Sequence, residues 1–199
     1  MPHYGKLLGI RGMQYFDVFK PEGQEVFVDV GSYDGADSIK FAEWCHKNYK
    51  KIYIFEPNDY QAEISLSNLK EAEIQEFDLV RKGAWSSSGE VGFSGSGMNM
   101  GTIVSSDTEE IVKVDTIDNV LKGEKATFIK MDVEGSELEA LKGAQNTICN
   151  FKPKLAICIY HKPEDIWTIP SLILEYDSTY RFKVRQYQTW YAECVLYAY

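Results

Sequence analysis

Apolar runs and helix-spaced apolar positions alternate along this chain. Residues 25–31, 51–57, 126–135 and 154–161 form short, mostly apolar runs, which are typical of strands buried on both faces of a parallel sheet. Between these runs, apolar residues recur every three or four positions, as they do on one face of a helix. The alternation predicts a doubly wound α/β sheet with helices on both faces.

The same pattern predicts the elements between these strands. Helices are predicted at 39–49, 58–69, 136–150 and 166–177. Asn58 or Asp59 can cap the second helix, and we expect the last helix to be broken near Pro170. A third strand is predicted within 76–86, and residues 109–121 predict a strand followed by a short helix.

The C-terminal end departs from the alternation. Residues 180–199 hold two strand-like runs with too little chain between them for a helix, so they predict an antiparallel hairpin. The length of 199 residues and the hydrophobic fraction of 44% fit one globular domain. We place this domain at 25–199 and treat residues 1–24 as a lead-in, either a short helical segment or the edge of a longer protein.

Charge and cysteine content limit the possible partners and the cellular compartment. The formal net charge is -9 and the pI about 4.9, so we expect repulsion of a phosphate backbone and no nucleic-acid partner. The four cysteines form no C-x-x-C pair, which favours buried thiols in a reducing compartment over disulfides or a zinc site. Without a signal peptide or an apolar run of roughly 18 residues, we expect a cytoplasmic protein with no membrane span.

Candidate chemistry lies at the ends of three predicted strands. Residues 29–35, 55–58 and 131–135 are polar, and an open parallel sheet brings the carboxyl ends of its strands to one crevice. Glu56 ends the second strand, where an acidic side chain can accept both hydroxyls of a ribose. A nucleoside-containing ligand is therefore expected in this crevice.

The first of these ends disfavours a dinucleotide. Gly31 and Gly35 are spaced G-x-x-x-G rather than G-x-G-x-x-G. Asp29, Asp34 and Asp37 lie at this turn, and residues 26–38 contain no basic residue, which suits a pyrophosphate poorly. S-adenosylmethionine carries a sulfonium and an ammonium and no phosphate, so it suits this loop, with Asp29 and Asp34 meeting positive charge directly or through water.

Five segments carry a resemblance to a known family. The segment FIKMDVEGSELEALKGA, residues 128–144, closely resembles the signature of the FkbM-type methyltransferases. Residues 26–38, 54–58, 114–118 and 160–170 resemble further family segments and occur in family order. The resemblance implies a class I methyltransferase Rossmann-like fold, with a mostly parallel sheet of about seven strands. It also implies S-adenosylmethionine-dependent O-methylation, which in many members modifies sugar or polyketide hydroxyls in glycan, lipopolysaccharide or antibiotic biosynthesis.

The resemblance also implies which residues bind the cofactor. The loop at the methionine side would be formed by Asp29, Gly31, Ser32, Tyr33 and Gly35, and the ribose would be held by Glu56. Gly83, Ala84 and Trp85 would lie at the adenine, where Trp85 either stacks on the base or is a core residue. Asp132 would lie near the methionine end or the reacting centre.

Catalytic candidates follow the later strands. His161 is expected at the crevice rim, where an imidazole suits a general base at neutral pH; it could instead bind substrate or order its loop. Glu134 could bind substrate hydroxyls or share the base role, or it could be a carboxylate that the helix dipole favours at a helix N-terminus. Asp132 is a further candidate for the base. These three residues could also gather a divalent cation, although we predict a site without metal. Residues 92–101 form either a closing segment or a solvated hairpin.

Three functions remain open on this basis. The preferred one is an O-methyltransferase acting on a hydroxyl of a sugar or glycan-related small molecule, as in polysaccharide biosynthesis. A nucleotide-sugar or NAD-dependent enzyme is the second, and it is disfavoured by the missing third glycine. A non-catalytic S-adenosylmethionine-binding protein is the third. Neither the acceptor nor the oligomeric state can be read from the sequence.

Overall fold

The computed structural model describes residues 14–94, 102–103, 110–189 and 192–199. In chain order the elements are β1 (Glu25–Val30), α1 (Ala36–Trp44), β2 (Tyr49–Phe55), α2 (Asp59–Glu71), β3 (Phe77–Val80), β4 (Gly83–Ala84), β5 (Gly89–Ser94), β6 (Thr102–Ile103), β7 (Glu110–Asp115), α3 (Ile117–Leu121), β8 (Phe128–Met131), α4 (Glu137–Lys142), α5 (Gln145–Phe151), β9 (Lys154–Cys158), α6 (Asp165–Tyr176), β10 (Phe182–Gln186) and β11 (Cys194–Ala198).

The central sheet of the described chain has seven strands in the order β10-β11-β9-β8-β1-β2-β3. β11 runs antiparallel to both β9 and β10, and the remaining pairings are parallel. Predicted strands 25–31, 51–57, 126–135 and 154–161 therefore correspond to β1, β2, β8 and β9. The mostly parallel sheet that ends in an antiparallel hairpin is confirmed.

The two faces of this sheet bury different cores. From β1, Val26, Val28 and Val30 pack with side chains of α3 to α6. Phe27, on the opposite face, packs with α1, α2 and the lead-in, and its ring stacks on Phe41 with centroids 4.3 Å apart. Strand residues alternate between the faces of a sheet, so each strand supplies both cores. Helices on both faces were expected from the unbroken apolar strands.

The described part of the lead-in is not helical. Residues 14–18 form turns and bends, and Tyr15 has a φ of 74°, which is incompatible with a right-handed helix. Its backbone N–H donates to the hydroxyl of Tyr197. Tyr15 and Phe16 are both buried. The prediction of a helical lead-in is therefore wrong for this stretch, while residues 1–13 lie outside the described chain.

The predicted third strand divides between two sheets. β3 ends at Val80, and Gly83–Ala84 forms β4, which pairs with β7 in a second sheet of order β4-β7-β5-β6. The charged residues between them turn the chain, because Arg81 pairs with Asp59 and Glu63 of α2. Lys82 instead pairs with a carboxylate of β7. A single strand over 76–86 is thus corrected to two.

Residues 92–101 are described only at their start. β5 and β6 pair antiparallel, with Phe93 opposite Ile103, so the flanking strands form the hairpin that was one of the two alternatives. Residues 95–101, on which the expectation of a closing segment rests, lie outside the described residues.

Three helix boundaries also differ from prediction. α1 ends at Trp44 because His46 and Lys47 adopt left-handed φ values of 52° and 58°. The predicted helix 136–150 is two helices, α4 and α5. α6 continues through Pro170 without a break. Proline cannot donate to the carbonyl of Ile166 and crowds it, and Ile166 is 61% exposed, so this turn of the helix borders solvent.

The separation of α4 and α5 has a side-chain cause. The carboxylate of Asp118, in α3, accepts hydrogen bonds from the backbone N–H groups of Asn146 and Thr147. These are first-turn donors that have no partner within their own helix. The carbonyl of Gly143 meanwhile accepts from the backbone N–H of Asp118. α3 thus takes hydrogen bonds that a continuous helix would have kept.

None of the described helices combines the length and the apolar character that are needed to cross a bilayer.

Candidate functional site

β1, β2 and β8 are parallel neighbours, so their carboxyl ends lie at one edge of the sheet. The predicted crevice residues 29–35, 55–58 and 131–135 therefore come together. Backbone N–H groups of Gly31 and Ser32 both donate to the carbonyl of Phe55, at 3.1 and 3.3 Å. The chain after β1 is consequently folded over the end of β2. We call residues 31–35 the glycine loop.

Gly31 is required at the start of the glycine loop. Its φ is 81°, and a Cβ there would lie 1.9 Å from the backbone oxygen of Asp132. A side chain is thus excluded both by the left-handed backbone and by a contact with backbone that cannot rotate away. The glycine loop and the end of β8 are in direct contact at this point.

Glu56 holds the glycine loop from β2. Its carboxylate accepts from the backbone N–H of Tyr33 at 2.8 Å and from that of Asn58 at 2.9 Å. Burial raises the pKa of Glu56, although these two hydrogen bonds oppose the rise. The predicted contact of Glu56 with a ribose stays a prediction; the observed contacts order the loop.

A buried lysine occupies the interior of this loop. Lys130, in β8, is fully buried and lies 3.1 Å from Oδ1 of Asp29 and 3.4 Å from Oδ2 of Asp37. Its Nζ also donates to the carbonyl of Gly31 at 2.7 Å. Burial would lower the pKa of Lys130, but the two carboxylates outweigh it and raise the pKa above its ordinary value. The ammonium therefore stays charged.

The predicted carboxylates are accordingly directed inward or into local caps. Asp29 is fully buried and accepts from Lys130 and from the hydroxyl of Ser38, so it does not face a ligand directly. Asp34 accepts from the backbone N–H of Ala36 at the start of α1. Any influence of Asp29 on a cofactor would act through the loop that it positions. Tyr33, in contrast, is 47% exposed.

The predicted adenine contacts lie at the edge of the second sheet, where Trp85 directly follows β4. Gly83 and Ala84 are buried in β4, and the backbone N–H of Trp85 donates to the carbonyl of Asp115. The carbonyl of Trp85 faces Gly143 at the junction of α4 and α5. In the described part of the chain, no recorded contact joins Trp85 to the glycine loop. The predicted adenine contact stays a prediction.

The second group of candidate residues gathers where β8 and β9 end. We call Asp132, Glu134, Glu137 and His161 the carboxylate–histidine cluster. Nε2 of His161 lies 3.5 Å from Oδ1 of Asp132 and 3.4 Å from Oε2 of Glu134. Nδ1 lies 2.7 Å from Oε1 of Glu137. The structure thus brings the three predicted catalytic residues together and adds Glu137.

Two tyrosines hold the carboxylate of Asp132. The hydroxyl of Tyr15 donates to Oδ2 at 2.8 Å, and that of Tyr160 donates to Oδ1 at 3.4 Å. The ring of Tyr160 also lies 4.0 Å from that of His161. Asp132 is therefore fixed in its orientation from the lead-in on one side and from the end of β9 on the other.

The electrostatics of the cluster favour an imidazolium. Burial would lower the pKa of His161, but Glu137, Asp132 and Glu134 together raise it above its ordinary value. Burial raises the pKa of Glu134, and the neighbouring carboxylates add to that rise while His161 opposes it. Asp132, Glu137 and His161 each offer one ligand atom within 4.8 Å of the others, so this set could hold a cation. The metal alternative drawn from the sequence named Glu134 in place of Glu137.

Three functional candidates were not found by sequence reasoning, namely Tyr15, Lys130 and Glu137. Lys130 could have been identified from the sequence, because a lysine within the apolar run FIKM needs a buried partner. Glu137 resembled an ordinary acidic residue at a helix start, and Tyr15 lies in a segment without pattern. All three find partners that are distant in sequence.

Comparison with known proteins places this geometry in a family. The profile of the Methyltransferase FkbM domain matches residues 29–187. The chain is similar to methyltransferase FkbM from Methylobacillus flagellatus KT, with a TM-score of 0.81 and 25% identity. That match covers 94% of this chain and 47% of that protein, so this chain spans about half the length of its relative.

Other solved structures share the fold alone. An rRNA methylase from Streptococcus thermophilus superposes with a TM-score of 0.53 at 13% identity, covering 100% of this chain and 94% of its own. SMU.1697c from Streptococcus mutans, in complex with SAH, gives a TM-score of 0.57 at 11% identity, with 100% and 99% covered. A sequence comparison with curated proteins finds no match. The family profile spans most of the chain and includes both the glycine loop and the cluster, and this protein belongs to the FkbM methyltransferase domain family.

Proposed function

We propose that this protein is an S-adenosylmethionine-dependent O-methyltransferase that acts on a hydroxyl of a sugar or glycan-related metabolite. One observation carries the proposal: Asp132 belongs to both halves of the site. Its backbone oxygen abuts Gly31 of the glycine loop, and its side chain lies 3.5 Å from Nε2 of His161. A cofactor in the loop and a proton acceptor at His161 would thus be adjacent.

The residues around the glycine loop fit this cofactor. Ser32 Oγ is buried without a hydrogen-bond partner in the described chain, and the Glu56 carboxylate lies beside the loop backbone. Three aspartates lie in or beside the glycine loop, namely Asp29, Asp34 and Asp37, and two lysines, Lys40 and Lys130, pair with Asp29 and Asp37. This excess of carboxylates leaves negative charge for a cationic ligand. When bound, S-adenosylmethionine supplies a methyl carbon activated by its sulfonium.

His161 is the proposed general base. Nε2 accepts the proton of the acceptor hydroxyl, while Asp132 and Glu134 accept hydrogen bonds that align it. The raised pKa of His161, set by Glu137, Asp132 and Glu134 against burial, has a definite consequence for pH dependence. Only neutral imidazole accepts a proton, so turnover is high above this pKa and is lost as the pH falls through it.

A sugar hydroxyl suits the carboxylates of this site as the acceptor. Two carboxylates near one imidazole can hold neighbouring hydroxyl groups, and they would repel an acceptor that carries a phosphate or carboxylate at the same place. We extend the proposal to a step of polysaccharide biosynthesis in the cytoplasm.

The first experiment measures cofactor binding and methyl transfer separately. Calorimetry with S-adenosylmethionine and S-adenosylhomocysteine should show binding, and NADH should show none. Labelled S-adenosylmethionine is then offered with neutral, amino and acidic sugars. We expect His161→Gln to bind cofactor within a few-fold of wild type and to lose about 10²–10⁴-fold in turnover.

His46→Gln is the matched control, since His46 is exposed just after α1, and it should keep full turnover. Binding of NADH without S-adenosylmethionine would identify a dinucleotide enzyme instead. Cofactor binding without transfer to any acceptor would favour a non-catalytic binding protein. Full turnover of His161→Gln would move the base to Glu134 or Asp132.

A further inference from the structure

Glu137 has an unusual position for a carboxylate. It is the first residue of α4 and is fully buried. Oε1 accepts from the backbone N–H of Val133 at 2.9 Å and lies 2.7 Å from Nδ1 of His161. Both approach the same oxygen: the first contact is a hydrogen bond, and the second is an ion-pair contact, since neither ring nitrogen of His161 has an aligned hydrogen-bond partner among the described residues.

Burial makes the imidazole important to Glu137. Removing an ionised carboxylate from water is costly unless donors compensate it, and Oε2 has no hydrogen-bond partner among the described residues. Nδ1 of His161, whose side chain is itself nine-tenths buried, lies 2.7 Å from Oε1. A proton on Nδ1 therefore adds positive character beside this carboxylate and compensates part of its burial.

A proton on Nδ1 determines what the other ring nitrogen can do. Neutral imidazole carries one proton, so when Nδ1 holds it, Nε2 has a free lone pair. Nε2 lies 3.5 Å from Asp132 and 3.4 Å from Glu134, on the side that leads to the glycine loop through Asp132. The carboxylates beside the two ring nitrogens thus indicate the tautomer with its proton on Nδ1.

We infer that Glu137 is the positioning residue of His161, holding the proton on Nδ1 so that Nε2 is the atom that accepts the hydroxyl proton. The inference rests on the proposed function for its catalytic meaning. The pairing itself is a property of the resting protein and can be measured without an acceptor.

Glu137→Leu tests this role sharply, with Glu137→Gln as the conservative variant. The backbone N–H of Val133 and Nδ1 of His161 both approach Oε1, so a glutamine whose amide oxygen takes that place can accept from both and keeps the proton on Nδ1. Leucine removes the acceptor, while Asp132 and Glu134 remain beside Nε2 and favour the ring proton there, so Nε2 can no longer act as a base. We expect cofactor affinity within a few-fold of wild type in both variants, a loss of turnover of about 10²–10⁴-fold for Glu137→Leu, and a much smaller loss for Glu137→Gln.

The matched control is Glu139→Leu on the same helix. Glu139 accepts from Ser86 and Lys142 and lies outside the carboxylate–histidine cluster. The turnover and the pH profile of this control should equal those of wild type. Equal losses in Glu137→Leu and Glu139→Leu would mean that α4 is merely sensitive to substitution, and would overturn the positioning role.

Nitrogen-15 NMR of the His161 ring provides a readout that a purely structural role would not move. At alkaline pH the ring should be protonated at Nδ1 in wild type and in Glu137→Gln, and Glu137→Leu should shift the proton to Nε2. The wild-type pKa of His161 should also lie above its ordinary value, and it should fall in both variants because the negative charge of Glu137 is removed. An Nε2-protonated ring in wild type would overturn the inference, even if a variant failed to fold.

The same spectra separate two other outcomes. Saturable binding of Mn²⁺ that broadens the His161 signals and is lost in Glu137→Leu would identify a metal site and overturn the inference. If no acceptor is methylated but the tautomer is as expected, the inference stands and the proposed function fails.

Discussion

Two independent features of the structure require glycine at position 31. Its left-handed φ and its contact with the Asp132 backbone predict different penalties for a methyl group. Gly123 has a similar φ of 85° but nothing within 4 Å of the place where a Cβ would lie. It therefore isolates the cost of the backbone conformation from the cost of the clash.

We expect Gly123→Ala to lower the free energy of unfolding by roughly 1–2 kcal/mol, the cost of a non-glycine residue in this conformation. Gly31→Ala should cost clearly more and should abolish cofactor binding, because the end of β8 must move. Urea unfolding and calorimetry measure both quantities. Equal destabilisation of the two variants, with cofactor binding retained, would show that the close approach to Asp132 is unimportant.

Sequence reasoning at this scale worked where a residue's requirement is local. Gly31 lies in a turn that follows a strand, and Glu56 ends the next strand, so both could be expected at the crevice. Lys130 and Glu137 could not, since their meaning depends on Asp29 and His161. The partner of a buried charge cannot be identified from the sequence until the strand order is known.

At the junction of α4 and α5, helix propensity and packing predict opposite effects of a substitution on stability. Alanine is preferred over glycine within a helix by about 1 kcal/mol, and Gly143 has an ordinary negative φ of -71°. By propensity alone, Gly143→Ala should stabilise the protein. A Cβ there would, however, lie 2.0 Å from the backbone oxygen of Trp85.

We therefore expect Gly143→Ala to destabilise the protein by several kcal/mol, beyond the roughly 1–3 kcal/mol typical of overpacking against movable side chains. The sign of the change in the midpoint urea concentration of unfolding shows which effect is larger. A midpoint at or above that of wild type would mean that α4 and α5 can separate from β4 without cost.

Element prediction from the sequence succeeded for the strands of the parallel sheet, whose apolar runs are bounded by turns. It failed where a boundary is set by tertiary contacts. Residues 136–150 have helical spacing throughout, but Asp118 supplies the hydrogen bonds that start α5. The two strands within 76–86 are adjacent in sequence, but they pair with different partners that are distant in sequence: β3 pairs with β2 and β4 with β7.

On the scale of the whole molecule, the lead-in is part of the core. The ring of Phe16 is buried, with centroids within 6.4 Å of the rings of Phe27, Phe41, Trp44 and Phe128. Large-to-small substitution of a buried phenylalanine typically costs about 3–5 kcal/mol. We expect Phe16→Ala to lose free energy of unfolding in that range, measured by urea denaturation.

Tyr60→Ala is the control, since Tyr60 is 72% exposed on α2 and should change stability by less than about 0.5 kcal/mol. A loss below 1 kcal/mol for Phe16→Ala would mean that the lead-in is not firmly docked. In that case the hydrogen bond from Tyr15 to Asp132 would not orient the site.

The overall architecture was predictable because it depends on the order of elements. Alternating strands and helices followed by two strands indicate a parallel sheet with an antiparallel end. The course of the lead-in was not predictable, because residues 14–18 have no periodicity and gain their order from aromatic rings on both sheet and helix.

The buried ammonium of Lys130 also restricts how this protein can change over generations. Replacing Lys130 alone with an apolar residue would leave Asp29 buried without its cation, which typically costs about 3–5 kcal/mol. Replacing Asp29 alone would leave the ammonium with the neutral carbonyl of Gly31 and the more distant carboxylate, Asp37. Joint apolar replacement of such a group is often close to neutral, so the harmful step is the intermediate. The three charges are therefore strongly epistatic, and a route to a different loop chemistry in this fold must pass through changes made together.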